Sequence, residues 1–213
     1  MPLILGLTGS LGSGKTFVSS LMSRCGAKVV CADTIARDIV QPGKPVLSAI
    51  ARQFGDGVLL PDGSLDRHAL AKIVFADPDK RLLLESLIHP TVRERELELI
   101  QSYRADPLVV LDVPLLFETG LDAECDQTVV VTINDEERFR RLASYRGIDR
   151  EEAQRRLSAQ MSQADKIARA DHVIDNSGSR RATAAKVAVL LAHLFPGGFP
   201  AGISTGADLG PES

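Results

Sequence analysis

The residues best suited to chemistry lie near the start of the chain: Gly9-Ser10-Leu11-Gly12-Ser13-Gly14-Lys15-Thr16. They spell G-x-x-x-x-G-K-[ST] between the apolar run Leu3-Ile4-Leu5-Gly6-Leu7 and the helix-like Phe17-Val18-Ser19-Ser20-Leu21-Met22. In that context the pattern is a P-loop, a cradle for the phosphates of a nucleoside triphosphate. Its glycines let backbone N–H groups converge on phosphate oxygens, and the following helix turns its positive end to the same place. Leu11, Gly12, Ser13, Gly14, Lys15, Thr16 and Phe17 are therefore the candidate ATP ligands. Lys15 suits the β- and γ-phosphates, and the Thr16 hydroxyl suits Mg²⁺.

Two carboxylates follow apolar strand-like runs. Asp33 comes just after Lys28-Val29-Val30-Cys31. Ligands of a doubly wound sheet sit beyond the carboxyl ends of its strands, so Asp33 is placed to accept the proton of an attacking hydroxyl. It is equally a natural N-cap for Thr34–Val40. Arg37, on the same helical face, either pairs with Asp33 or holds an anionic part of an acceptor. Asp112 closes Leu108-Val109-Val110-Leu111, which points it at Mg²⁺, directly or through water. Glu118, after Val113-Pro114-Leu115-Leu116-Phe117, is a further acidic candidate or else a surface cap. His89 reads as a helix-end residue before Pro90.

The elements that must hold these groups alternate as in a parallel sheet wrapped by helices. Strands are expected at Leu3–Leu7, Lys28–Cys31, Leu108–Asp112, Thr128–Thr132 and His172–Asp175. About 75 residues separate the second and third strands, far beyond an ordinary connection. Helical spacing there covers Asp33–Val40, Pro45–Phe54, Asp66–Phe75, Pro78–Ile88 and Pro90–Tyr103. The division expected is a single domain 1–195, with a core (1–32, 106–134, 170–195), a helical insertion (33–105) built to hold a second substrate, the acceptor, and a lid (135–169). The lid region is dense in arginine, Arg138, Arg140, Arg141, Arg146, Arg150, Arg155 and Arg156 among them. Most of these read as a solvated, salt-bridged helical hairpin, one or two as charges for a transferring phosphate. Ser179–Leu194 is a closing helix, and 196–213 reads as a disordered tail.

The chain has 213 residues, 25 basic and 28 acidic side chains and a net charge of −3, which offers no bulk basic field for nucleic acid. Three cysteines without C-x-x-C spacing fit reduced thiols in a cytoplasmic protein. The first apolar run is too short for a signal peptide or membrane span. No Asn-Lys-x-Asp guanine-recognition motif is present. The alternatives left open are a small-molecule kinase of the adenylate, shikimate or uridine type, a P-loop switch or regulatory ATPase, and a scaffold that binds nucleotide without chemistry.

Several segments together resemble the dephospho-CoA kinase family, from Leu5 to about Leu194. They are Gly6–Thr16, Cys31-Ala32-Asp33-Thr34-Ile35-Ala36-Arg37, Leu87-Ile88-His89-Pro90, Val113-Pro114-Leu115-Leu116-Phe117-Glu118 and Ala170–Gly178. The resemblance implies an α/β P-loop fold with a five-stranded parallel sheet, and Mg²⁺-dependent transfer of the ATP γ-phosphoryl to the ribose 3′-hydroxyl of dephospho-CoA. It further implies Asp33 as general base, Asp33 and Arg37 on the acceptor side, Asn176 near the adenine, and Lys15 with Arg141 and Arg146 on the transferring group. Two departures stand out. The family's Gly-Gly-Ile-Gly is Gly9-Ser10-Leu11-Gly12 here, and its two lid arginines four apart are Arg141 followed by Tyr145, with Arg146 one further on.

Overall fold

The computed structural model describes residues 1–204. Five strands, β1 (Leu3–Thr8), β2 (Lys28–Cys31), β3 (Leu108–Asp112), β4 (Gln127–Thr132) and β5 (His172–Asp175), form one sheet in the order β2-β3-β1-β4-β5. The registers of β1 with β3 and β4, and of β4 with β5, are parallel. β3 is buried at every position, as a strand covered on both faces must be. Alternate residues serve opposite faces. Leu5, Leu7, Val110, Val129, Val131 and Ile174 join one core with Val18, Leu21 and Met22 of α1 (Lys15–Arg24) and Val187, Leu190 and Leu191 of α9 (Arg180–Leu194). Val109, Leu111 and Val130, also buried, belong to the other face.

The chain divides into two compact units, one of Met1–Val30 and Tyr103 onward, the other Cys31–Ser102. The second is helical: α2 (Ala32–Asp38), α3 (Pro45–Phe54), α4 (Arg67–Ala76) and α5 (Pro78–Ser102). Asp66 caps α4 by accepting from the His68 and Ala69 amides. Two helices expected on either side of Pro90 are one 25-residue helix with Pro90 inside. Proline costs a helix one N–H and crowds the preceding turn. Here α5 packs on α2, α3 and α4, and that burial carries the helix through the defect, leaving His89 mid-helix rather than at an end. The first unit carries the remaining helices, α6 (Asp135–Arg146), α7 (Arg150–Ser158) and α8 (Gln163–Arg169).

The expected tail needs correction over its first part. Ile203 is buried in the core, Phe199 packs against it, and the Ser204 N–H donates to the Cys25 carbonyl at 2.8 Å. Glycine and proline made this stretch look unstructured, but its two apolar side chains find room beside α1 and α9. The rest of that tail, from Thr205, lies outside the described residues. Replacing Ile203 by Ala should destabilise the fold by about 2 kcal/mol, the low end for a buried isoleucine. Urea unfolding measures it, and a loss near zero would show that this segment adds nothing to the core.

Candidate active site

The loop from β1 to α1 is built so that its amides stay open. Gly14, at φ 85°, is the N-cap of α1 and supplies no side-chain cap. A side chain there would run into the Asn176 amide, besides having to adopt a left-handed backbone. Within the loop, Ser13 N–H donates to the Ser10 carbonyl and Phe17 N–H to Gly14. Among the described residues, the N–H groups of Gly12, Gly14, Lys15 and Thr16 have no acceptor within the chain. Four donors at the start of a helix form an anion cradle. Leu11, expected among the phosphate donors, gives its N–H to Gln160 Oε1 at 3.1 Å instead.

Lys15 Nζ donates to the carboxylate of Asp112, which ends β3 and is 2% exposed. Leu7 and Asp112 are register partners across β1 and β3, which is why the lysine that follows the loop meets that carboxylate. Thr16, the residue after Lys15, is exposed. A hydroxyl and a carboxylate are the oxygen donors that Mg²⁺ takes.

Asn176, just past β5, is buried and fully engaged. Its Nδ2 donates to the Ser13 carbonyl at 2.8 Å, its Oδ1 accepts from Thr183 at 2.7 Å, and its N–H donates to Thr132. Gly14, Phe17, Arg141, Tyr145, Asn176 and Arg180 line one cavity of about 320 Å³. The Arg180 guanidinium lies over the Phe17 ring at 5.6 Å. Arg141 reaches this cavity with its orientation set: Nε donates to Glu137 Oε1 at 2.6 Å, while another nitrogen of its fork approaches Gly14. Hydrogen bonds from Arg140 and Arg141 hold the Glu137 carboxyl down at about 2. Arg146 closes α6, exposed and outside the cavity lining. Tyr145 takes the place in it.

Asp33 and Arg37 lie in the helical unit, both exposed. α2 begins at Ala32 with Cys31 as its N-cap, so Asp33 is inside the first turn and is not the cap that its residue type suggested. Its carboxylate complements the helix dipole there and, among the described residues, has no hydrogen-bond or ion-pair partner. The 33–37 pairing considered from spacing is likewise absent among them.

Residue type alone did not reveal a second polar cluster. Lys166 is completely buried. Its Nζ donates to the Pro114 carbonyl at 3.0 Å and lies 2.8 Å from Glu118 Oε1. Thr8 Oγ1 donates to the same Pro114 carbonyl at 3.0 Å, and Met161 N–H to Glu118 at 3.0 Å. Glu118 is thus neither a free acid nor a surface cap. The pair ties α8 to the loop after Asp112 and, through Thr8, to the mouth of the P-loop. Nothing in the spacing of 118 and 166 signals it, because the contact is made only by the fold.

Burial opposes ionisation of Glu118, but the bonds from Lys166 and the Met161 amide outweigh it and leave the carboxyl below its usual value. A carboxyl depressed on folding stabilises above its unfolded pKa, about 4.3. That contribution fades as pH falls through the lower folded value. Glu118→Gln leaves a buried lysine without its counter-charge and should cost on the order of 3 kcal/mol at pH 7. The gap between wild type and variant should narrow below about pH 4. Denaturant titrations at both pH values measure it, and a gap that does not change with pH would refute the ionised pair.

A family model described as CoaE, dephospho-CoA kinase, matches residues 3–181. The dephospho-CoA kinase of Symbiobacterium thermophilum is 48% identical over 186 residues, covering 86% of this chain and 78% of that protein. Among solved structures, TT1252 from Thermus thermophilus superposes with a TM-score of 0.79 at 37% identity over 91% of this chain and 98% of its own. Dephospho-CoA kinase from Campylobacter jejuni does so with 0.70 at 25% identity over 92% and 99%. With the loop, its lysine and the carboxylate beside it assembled on a five-stranded parallel sheet, the chain belongs to the dephospho-CoA kinase family.

Proposed function

We propose that this enzyme transfers the γ-phosphoryl group of ATP to the ribose 3′-hydroxyl of dephospho-CoA, giving coenzyme A and ADP, in the cytoplasm. The observation that carries the reading is the P-loop itself: four open amides, Lys15 within hydrogen-bond reach of a buried Asp112, and an arginine held at Gly14. Three cysteines that form no disulfide among the described residues fit a reducing compartment.

Phosphoryl transfer leaves the protein little covalent work, so positioning and charge stabilisation carry it. The Gly12, Gly14, Lys15 and Thr16 amides take phosphate oxygens, and Lys15 exchanges Asp112 for the β- and γ-phosphates. Arg141, steered by Glu137 and by the Gly178 carbonyl that accepts from Nη2, presents Nη1 to the transferring group. Mg²⁺, held by Thr16 and Asp112 directly or through water, would neutralise charge on the phosphates. The helical unit Cys31–Ser102 holds the acceptor, with Arg37 on an anionic group. Asp33, two residues beyond β2 and with no competing partner among the described residues, takes the hydroxyl proton.

Mass spectrometry of products from ATP·Mg²⁺ and a panel of dephospho-CoA, adenosine, AMP, uridine and shikimate tests this. One phosphate should be gained on dephospho-CoA alone. Lys15→Ala should lower kcat/KM roughly 100- to 1000-fold, the scale of losing a transition-state charge donor. Asp33→Asn should lower kcat by about 100-fold or more, as for a lost general base. Transfer to a different acceptor would discard the substrate, and normal turnover of Asp33→Asn would discard the base.

A further inference from the structure

We infer that Arg138 is a positioning residue for phosphoryl transfer, acting through the Leu11–Gly12 peptide with Gln160 as its counterpart; the inference rests on the kinase reading above. A trans peptide is planar, with its C=O and N–H pointing in opposite directions, and the described chain contains no cis bond. Whatever holds the Leu11 carbonyl therefore also aims the Gly12 N–H. Arg138 Nη1 donates to that carbonyl at 2.9 Å. On the other side of Leu11, its N–H is held by Gln160 at 3.1 Å. Both backbone polar groups of the residue before the first open amide are thus fixed by side chains from the lid region.

Arg138 is itself tightly held. It is 2% exposed, and its Nη2 donates to Gln163 Oε1 at 2.7 Å. Gln163 Oε1 also accepts from the Ile133 amide at 3.2 Å, so the guanidinium is tied both to α8 and to the end of β4. The stem of Arg138 covers Gly12: its Cγ is 3.1 Å from where a Cβ would stand, at a residue with φ +77°. The carboxylate paired with it, Asp135 at 3.2 Å, is 76% exposed.

Burying a guanidinium mainly among neutral carbonyls is costly. A neutral donor would fix a carbonyl with less desolvation. The charge makes physical sense one peptide away from an open phosphate amide, where a buried cation raises the local potential felt by an anion. The same geometry recurs at Ser13–Gly14, where Asn176 holds the Ser13 carbonyl. The two open glycine amides are thus each aimed by a side chain behind them, Gly12 by Arg138 and Gly14 by Asn176.

The test compares wild type with Arg138→Met, which removes the donor and keeps the stem, and with Arg138→Gln, which keeps a neutral donor. Amide spectra of the ¹⁵N-labelled protein are followed as Mg²⁺ and a non-hydrolysable ATP analogue are added. In Arg138→Met the ligand-induced shift of the Gly12 amide should shrink while that of Gly14 stays as in wild type. In steady state, kcat should fall roughly 10- to 100-fold, as when an orienting outer partner is lost, with KM for dephospho-CoA within about twofold. Arg138→Gln should recover part of kcat. Wild-type kcat in Arg138→Met, or equal loss of both glycine shifts, would overturn the inference. Should Arg138→Met not fold, Gln160→Leu, which frees the Leu11 amide, should also reduce the Gly12 shift selectively, and an unchanged shift would refute the pairing. If wild type fails to phosphorylate dephospho-CoA the functional reading falls, and the Gly12 shift still decides this one.

Discussion

The constraint on which the rest of the first unit depends is that several backbone N–H groups must remain unpaired at one point. A folded chain ordinarily satisfies nearly all such groups, and a tight glycine-rich turn could collapse onto its own carbonyls. It is prevented from doing so by bonds made on the other side of each peptide. Asn176 comes from the end of β5, and its bond to Thr183 of α9 locks its amide. Arg138 comes from α6 and Gln160 from the turn just after α7. The loop is therefore a surface of open donors backed by satisfied acceptors, and the sheet order explains the arrangement: β1 is central, with β4 and β5 on one side to supply those partners.

The second anchor is the Lys166–Glu118 pair. With Lys166 fully buried and the Glu118 side chain 20% accessible, the pair is weak grounds for stability, since the cost of desolvating the lysine opposes the attraction. Its geometry gives another reason to have it. Lys166 binds the carbonyl two residues after Asp112, Thr8 binds the same carbonyl, and Glu118 takes the amide next to Gln160. The segment that presents Asp112 and the segment that presents Gln160 are thereby held in one polar network. A hydrophobic replacement could fill the volume, but it could not fix the Pro114 carbonyl and the Met161 amide at once.

Much of this could be read from the sequence. The strands were visible because parallel strands buried on both faces are continuous apolar runs, and β3 is the clearest of them. The P-loop was visible because its requirements are local: glycines, a lysine and a hydroxyl in fixed spacing. What escaped was either non-local or decided by packing. Pro90 reads as a helix break by every local rule, yet neighbouring helices hold α5 intact. Ile203 sits in a glycine- and proline-rich stretch whose docking depends on α1 and α9. Arg138 looked like one more solvated arginine, because sequence cannot tell which of seven in the region turns inward. Arg141 and Arg146, both expected on the transferring group, differ in helical phase: Arg141, one turn after Glu137, lines the cavity, and Arg146 is not among its lining residues.

Net charge also proves to be the wrong scale for this site. The chain as a whole is acidic, by three charges, yet Lys15, Arg138, Arg141 and Arg180 gather around one loop and its cavity. The acidic groups among them are not simply cancelling that charge. Glu137 accepts from Arg140 and from the Nε of Arg141, and with its carboxyl held at about 2 it stays ionised throughout the neutral range. An arginine has five N–H donors in a rigid fork. Spending Nε on Glu137 and Nη2 on the Gly178 carbonyl at 3.5 Å fixes the plane of the fork and leaves Nη1, the nitrogen near Gly14, for an anion. Asp112 does the equivalent for Lys15. In the proposed reaction the carboxylates hold the cations in place before phosphate arrives: Lys15 would exchange Asp112 for phosphate, Arg141 would keep Glu137, and little reorganisation would remain for the transfer step.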